Sequence, residues 1–201
     1  MNYILIALAA YLIGSVSMSI IVSKYFFHDD VRTHGSGNAG ATNVARVFGW
    51  GPGILTFLCD FLKCFISMEI GMRFGGEWGK CVAGVFCLIG HCFPVYFHFK
   101  GGKGVSTGAC VALLIDWRLG AILISAFLVS VLITKIVSLS SLVAAVGCII
   151  GVFILQVSLP MKVLGIFAAL LVIFMHRENI GRLLRGEEKK FSAGKKREWK
   201  K

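Results

Sequence analysis

Long runs of apolar residues without any Lys, Arg, Asp or Glu dominate this sequence. The four longest are Met1–Ser23, Cys81–Phe99, Leu119–Thr134 and Ile136–Met161. A helix that crosses the hydrocarbon core of a bilayer needs roughly 20 apolar residues, so runs of this length predict membrane-spanning helices. Only 15% of the residues are charged, whereas soluble domains average about 25%. We therefore predict an all-α, polytopic membrane protein.

Three further apolar stretches extend the prediction to seven spans. Trp50–Met72 contains ionisable residues, and Val105–Ile115 and Val163–Met175 are short unless small and polar neighbours lengthen them. The first span has no basic residues before it and is too long for the apolar part of a cleaved signal peptide. We interpret residues 1–201 as one integral-membrane domain with a basic tail at about 187–201.

The basic residues orient these spans. With seven spans, four segments share one side of the membrane: 24–49, 99–104, 135–141 and 176–201. They carry 16 of the 21 Lys and Arg residues, and the positive-inside rule places them on the cytoplasmic side, with the amino terminus outside. A single long helix over Val105–Thr134 would change the parity and separate these segments.

Three of the segments contain polar clusters suited to anions. Gly35–Asn43 reads Gly-Ser-Gly-Asn-Ala-Gly-Ala-Thr-Asn and is followed by Arg46, Lys100–Gly104 reads Lys-Gly-Gly-Lys-Gly, and His176–Asn179 reads His-Arg-Glu-Asn. Backbone N–H groups exposed at glycines, together with hydroxyl, amide and cationic side chains, bind phosphate. The clusters therefore predict a phosphate-handling site at the cytoplasmic membrane surface.

Other ligand classes fit less well. Gly35–Gly40 matches G-x-G-x-x-G, but it follows a membrane span instead of lying between a strand and a helix, which excludes a dinucleotide fold. Gly101–Gly104 lacks the spacing of a nucleotide P-loop. The net charge of +11 comes mainly from residues after Arg177 and indicates attraction to anionic lipids rather than to nucleic acid. Seven dispersed cysteines show no metal-ligand spacing, so we expect no metal site.

Several polar residues outside the clusters allow two interpretations. Asp60 and Lys63 lie three positions apart on one face of the second span, and either an internal ion pair or the wall of a site would explain charges at membrane depth. His91, at the end of the third span, fits a structural hydrogen-bonding role. Hydroxyls on the same predicted side cap a helix or contribute to the site: Ser138, Ser140 and Ser141.

Three segments, in order and across nearly the whole chain, resemble the motifs of a known family. They are Gly-Ser-Gly-Asn-Ala-Gly-Ala-Thr-Asn (35–43), Gly-His-Cys-Phe-Pro-Val-Tyr-Phe-His-Phe-Lys-Gly-Gly-Lys-Gly-Val (90–105) and His-Arg-Glu-Asn-Ile-Gly-Arg-Leu-Leu-Arg-Gly-Glu (176–187). The chain is similar to the bacterial membrane glycerol-3-phosphate acyltransferases that use acyl phosphate. The resemblance implies seven spans, cytoplasmic motifs, and acyl transfer from acyl phosphate to the sn-1 hydroxyl of glycerol 3-phosphate, without a cofactor or a covalent acyl-enzyme.

The resemblance also implies roles for individual residues. His176, Asn179 and Ser36 are the expected catalytic residues. Expected substrate-binding residues are Gly37, Thr42, Asn43, Arg46, Gly101, Gly102, Lys103, Gly104, Ser141 and Glu187. An enzyme that produces acyl phosphate is a possible partner. The alternative is a transporter of a phosphorylated solute, but we find no internal repeat of the kind that transporters commonly have.

Overall fold

The computed structural model describes residues 3–194, and this part of the chain is built from α-helices joined by loops and short turns, without a β-strand. The prediction of an all-α protein is therefore confirmed for these residues. Nine α-helices follow one another here: α1 (Tyr3–Gly14), α2 (Met18–Phe27), α3 (Ala41–Phe48), α4 (Trp50–Cys92), α5 (Val105–Ile115), α6 (Trp117–Thr134), α7 (Val137–Ile154), α8 (Leu159–Met175) and α9 (Arg177–Leu184).

The first apolar run forms two helices instead of one. The non-helical residues 15–17 separate α1 from α2. Lys63 of α4 donates a 2.7 Å hydrogen bond to the carbonyl oxygen of Val16 in this break, so the freed backbone group is satisfied. Because α2 continues to Phe27, the segment extends beyond the predicted run Met1–Ser23, whose first two residues lie outside the described range.

Helix α4 is a helical hairpin. At Gly76 its backbone has φ 59° and ψ −151°, a conformation that glycine adopts much more easily than other residues. A Cβ on Gly71 would lie 2.3 Å from the carbonyl oxygen of Gly79, so the two arms are in close contact beside the break. They correspond to the predicted second and third spans. The second arm ends at Cys92, two residues before a proline, instead of at Phe99.

The remaining helices follow the predicted runs with shifted ends. Helix α5 has the predicted bounds. Helix α6 begins two residues earlier than predicted because the Asp116 side chain caps it, accepting a 2.8 Å hydrogen bond from the backbone N–H of Arg118. The predicted run Ile136–Met161 is divided: α8 already begins at Leu159, with Pro160 in its first turn, where proline is favoured.

The outer surface of the helices is apolar, as expected of a protein surrounded by lipid. Leu132 is 77% exposed and Ile154 is 72% exposed, whereas Asp60 and Lys63 are buried. In the described part of the chain, four helical segments are long and apolar enough to cross a membrane when the whole of α4 is counted as one segment. A fifth results if α8 and α9, bent by 58°, form one span. The count of seven spans and their orientation stay predictions.

Candidate active site

One cavity of about 770 Å³ brings the three polar clusters together. It lies where α3, α4, α5 and α7 begin and where α6 and α8 end, so loops distant in sequence meet there. The predicted site residues that line it are Ser36, Thr42, Asn43, Arg46, Lys103, Gly104, Ser141, His176 and Asn179.

Asn43 organises the first polar loop. Its side-chain Nδ2 donates to the carbonyl oxygens of Val31 at 2.9 Å and His34 at 3.0 Å, and its Oδ1 accepts the backbone N–H of Ser36 at 2.9 Å. Gly35 packs so closely that a Cβ there would lie 2.2 Å from Asn43 Oδ1. All these contacts hold the loop in shape, with Ser36 at the cavity wall.

The second loop presents Lys103 to the cavity. The backbone N–H groups of Gly101 and Gly102 donate to the carbonyl oxygens of Cys92 at 3.2 Å and His91 at 3.1 Å, which anchors the loop to the end of α4. Lys103 Nζ donates a hydrogen bond to Asn179 Oδ1. Burial lowers the pKa of Lys103, and the nearby charge of Arg182 lowers it further.

A carboxylate that the sequence analysis did not select lies at the centre of the third cluster. Glu188 Oε1 accepts hydrogen bonds from Asn179 Nδ2 at 2.6 Å and Ser138 Oγ at 2.7 Å, and its Oε2 accepts one from Arg182 Nε at 2.7 Å. Burial opposes ionisation, but these three bonds favour the charged form, and together they hold the pKa of Glu188 below its usual value. Glu188 therefore orients the amide of Asn179.

One ring nitrogen of His176 is hydrogen-bonded to the backbone, and within residues 3–194 the other has no hydrogen-bond partner. The side chain is buried, and its Nδ1 lies 2.8 Å from the carbonyl oxygen of Val172. A carbonyl oxygen only accepts hydrogen bonds, so Nδ1 carries the proton and Nε2 is an acceptor. Burial lowers the pKa of His176 to about 4. At neutral pH, Nε2 of His176 can therefore accept a hydrogen bond from a substrate hydroxyl.

Four predicted residues do not line this cavity. Glu187 is exposed and forms an ion pair with Arg185 at 2.7 Å, because the chain turns at Gly186 (φ 69°) before it reaches Glu188. Gly37 and Gly101 line a second cavity of about 500 Å³, and Gly102 packs against His91. These glycines belong to the loops whose other residues line the main cavity.

Ser141 reaches the cavity wall, but its hydroxyl donates to the carbonyl oxygen of Val137 at 2.9 Å. Ser140, in α7, donates to the hydroxyl of Ser130 in the neighbouring helix α6 at 2.8 Å. Among the three serines considered from sequence, Ser138 is the one that hydrogen-bonds a residue of the third cluster, Glu188.

The segment after α9, residues 187–194, crosses the cavity and is called here the tail segment. The backbone N–H of Phe191 donates to the carbonyl oxygen of Lys135 at 2.7 Å, and that of Gly194 donates to Ala45 at 3.2 Å. The Phe191 ring lies edge-on to Trp50, with centroids 5.2 Å apart, and 5.9 Å from the Arg46 guanidinium. The tail segment thus connects the start of α7 with the end of α3.

The other part of the cavity is apolar and extends between α4 and α6. Ile54 and Leu128 contribute to its wall, and each is 53% exposed on the apolar outer surface. The cavity therefore joins a polar region to a lipid-facing groove, whose further lining includes Phe57, Leu123, Ile124, Phe127 and Val131. Within residues 3–194, no three His, Cys, Asp or Glu side chains are grouped so that they could hold a metal ion.

Comparison with known proteins identifies the family. Residues 4–186 match the family model described as glycerol-3-phosphate acyltransferase. Proteins of that name from Finegoldia magna and Staphylococcus carnosus are each 40% identical to this chain, over 194 and 199 residues, and each alignment covers 94% of this chain and 98% of the relative. The chain belongs to the glycerol-3-phosphate acyltransferase family.

Two solved structures share its fold. Both are described as PlsY (YgiH), an integral membrane glycerol 3-phosphate acyltransferase. The glycerol 3-phosphate form superimposes with a TM-score of 0.90 at 35% identity and covers 94% of this chain and 96% of that one. The lysophosphatidic acid form has a TM-score of 0.87 at 34% identity and covers 94% and 95%. The fold described above is therefore that of an integral membrane protein.

Proposed function

We propose that this protein transfers a fatty acyl group from acyl phosphate to the sn-1 hydroxyl of glycerol 3-phosphate, the first step of phospholipid synthesis. The products are lysophosphatidic acid and inorganic phosphate. The observation that carries the proposal is that one cavity has cationic and amide side chains at one end and a lipid-facing apolar groove at the other. Both the donor and the product combine a phosphate with a fatty chain, and such a cavity suits both.

Family membership supports the same substrates. The relatives are named glycerol-3-phosphate acyltransferase, and the two solved structures are described as glycerol 3-phosphate and lysophosphatidic acid forms. These two molecules differ by one acyl group on a glycerol hydroxyl. Acyl phosphate as the donor is our inference from the motifs and from a cavity that can hold two phosphates.

The cations bind the substrate phosphates in this proposal. Lys103 binds the phosphate of glycerol 3-phosphate, since an ammonium has three donors and only one is used on Asn179. Arg46, which also lines the cavity, binds a second phosphate together with the hydroxyls of Ser36 and Thr42. A charged group held at a fixed position contributes most where water is excluded.

The chemistry needs no covalent intermediate because acyl phosphate is already activated. The sn-1 oxygen attacks the acyl carbon, the bond from that carbon to the phosphate oxygen breaks, and the hydroxyl proton passes to an oxygen of the departing phosphate. Asn179 and neutral His176 orient the acyl phosphate and the hydroxyl, so that proximity and alignment supply much of the rate. Glu188 contributes by fixing Asn179, in the place where we first expected Glu187.

We infer the membrane arrangement from the same features. Counting the two arms of α4 separately, and α1 with α2 as one broken segment, gives seven crossings if the short helix α5 also spans. The amino terminus then lies outside, and the polar cavity opens on the cytoplasmic side of a bacterial inner membrane. Water-soluble glycerol 3-phosphate is available on that side. No cofactor is required, and an enzyme that supplies acyl phosphate is the expected partner.

The test is a reconstituted assay. Purified protein in phospholipid vesicles is mixed with acyl phosphate and glycerol 3-phosphate, and release of phosphate and formation of lysophosphatidic acid are measured together. Equal amounts of both products support the proposal. Uptake of glycerol 3-phosphate into the vesicles without lysophosphatidic acid would favour a transporter, and acyl-CoA or acyl carrier protein serving as the better donor would contradict the choice of acyl phosphate.

A further inference from the structure

Next to the loop that carries Lys103 lies a buried cluster of three ionisable side chains to which the proposed reaction gives no role. Asp60 and Lys63 belong to the first arm of α4 and His91 to the second, and their side chains are 2%, 8% and 5% exposed. Asp60 Oδ1 lies 2.9 Å from Lys63 Nζ and 3.6 Å from His91 Nδ1. Ionisable groups at membrane depth are costly and often functional, so the cluster requires an explanation.

His91 connects this cluster to the loop. Its carbonyl oxygen accepts the backbone N–H of Gly102 at 3.1 Å. Its ring is packed against the same residue, because a Cβ on Gly102 would lie 2.2 Å from His91 Nε2. That Cβ would also lie 3.0 Å from the carbonyl oxygen of Ala39 in the first polar loop. The His91 ring therefore supports Gly102 where the first and second polar loops meet.

Lys63 connects the cluster to the other end of that loop. It donates to the carbonyl oxygen of Val16, in the break between α1 and α2. The neighbouring Ser15 Oγ accepts the backbone N–H of Val95 at 3.3 Å. The segment between α4 and α5 is thus attached to the cluster near its beginning, through Lys63, and near its end, through His91.

We propose that Asp60, Lys63 and His91 form a positioning element that fixes Lys103 for glycerol 3-phosphate. In this arrangement the Asp60 carboxylate faces the His91 ring across 3.6 Å, His91 supports Gly102, and Gly102 places the adjacent Lys103 opposite Asn179. The inference rests on the proposed function for the identity of the bound phosphate. An ion pair with a purely structural role would be replaceable, because exchanging both members of a buried pair for neutral side chains of similar volume is often tolerated.

The test is the double substitution Asp60→Asn with Lys63→Met, which removes both charges and keeps the volume. We expect the KM for glycerol 3-phosphate to rise about tenfold, since small displacements of a positioned group are costly, while the KM for acyl phosphate changes by less than about twofold. In a Lys103→Met protein the same two substitutions should raise the KM for glycerol 3-phosphate little further, because the effects of residues that act through one another do not add.

Thr56→Val is the matched control. Thr56 is fully buried in the same arm of α4, one turn before Asp60, and its hydroxyl donates only within the helix, to Pro52 at 2.9 Å. Both KM values should stay as in the wild type. If the double variant cannot be purified in folded form, His91→Asn is measured instead, with the same expected rise in the KM for glycerol 3-phosphate.

Three results would overturn the positioning role: an unchanged KM for glycerol 3-phosphate in the folded variant, an equal rise for both substrates, or full additivity with Lys103→Met. Wild-type activity separates this inference from the proposed function. A wild-type protein that forms no lysophosphatidic acid contradicts the function itself. An active wild type with an equally effective double variant contradicts the positioning role alone.

Discussion

Lys103 donates a hydrogen bond to the side-chain oxygen of Asn179, 76 positions later in the chain. This contact joins the second polar cluster to the third. Asn179 also donates through Nδ2 to Glu188, so a cation, an amide and a carboxylate form one continuous chain of hydrogen bonds. Each side chain limits the orientation of the next, and the amide of Asn179 cannot flip without placing its NH₂ group against the ammonium of Lys103.

Replacing Lys103 by Met should chiefly weaken binding of glycerol 3-phosphate. The substitution keeps the length of the side chain and removes a charged donor, and hydrogen bonds to charged groups contribute about 1.5–3 kcal/mol, or about ten- to a hundredfold in KM. Steady-state kinetics with each substrate varied in turn measure the effect. Lys100→Met, which removes an exposed lysine from the same loop, is the control. A rise confined to the KM for acyl phosphate would contradict the assignment.

Glu188→Gln and Glu187→Gln distinguish two adjacent carboxylates. The first should lower kcat/KM about ten- to a hundredfold, because Ser138, Asn179 and Arg182 lose their shared charged acceptor. The second should change it by less than about twofold, since an exposed ion pair contributes little. The assay for lysophosphatidic acid measures both. A larger loss of kcat/KM in Glu187→Gln than in Glu188→Gln would instead support Glu187, the residue expected from the sequence.

The stability of the protein should depend on pH through His176. Its pKa is lowered to about 4 in the folded protein, against about 6.5 in an unfolded chain. Between these values the unfolded chain binds a proton that the folded protein does not, so stability decreases as the pH falls from about 6.5 towards 4. Thermal unfolding in detergent, followed by intrinsic fluorescence, should show this decrease, and His176→Asn should show less of it. If the wild type and His176→Asn lose the same amount of stability as the pH falls, the prediction is wrong.

Gly101→Ala should distort the loop that carries Lys103. Its Cβ would lie 2.1 Å from the carbonyl oxygen of His91 and 2.8 Å from that of Cys92, and backbone atoms cannot move aside as a flexible side chain can. We expect a rise of about tenfold or more in the KM for glycerol 3-phosphate. Gly51→Ala, where nothing lies within 4 Å of the added Cβ, is the control and should leave the kinetics unchanged. Normal kinetics in Gly101→Ala would show that the loop tolerates displacement.

The apolar runs predicted the long apolar helices, but neither their breaks nor the short helices α3 and α9. Val105–Ile115 was predicted with its observed bounds, because Gly104 and Asp116 mark its ends. The turn at Gly76 depends on a backbone conformation that no pattern of apolar residues reveals. The break before Met18 depends on a lysine that is 47 residues distant from the carbonyl it binds. Local periodicity contains no information on such contacts.

The site was predicted as a set of clusters rather than as a geometry. Glycines among polar and charged residues located the first two runs, and polar and charged residues after the last span located the third. The structure brings residues of all three runs to one cavity. Asn43 was expected to bind substrate, yet its side chain is occupied by loop contacts with Val31, His34 and Ser36. Glu188 was missed because adjacent carboxylates are equivalent in a sequence. Its selection depends on the turn at Gly186, after which the side chain of Glu187 is 57% exposed and that of Glu188 only 10% exposed.

The tail segment has a practical consequence for the design of recombinant fragments. The match to the family model ends at residue 186, and a fragment cut at that boundary would keep every helix of the described structure. It would nevertheless lack Glu188, which orients Asn179, and Phe191, which packs beside Trp50 and Arg46. We expect such a fragment to insert into a membrane and fold but to form little lysophosphatidic acid, so a fragment for functional work should extend at least to Gly194.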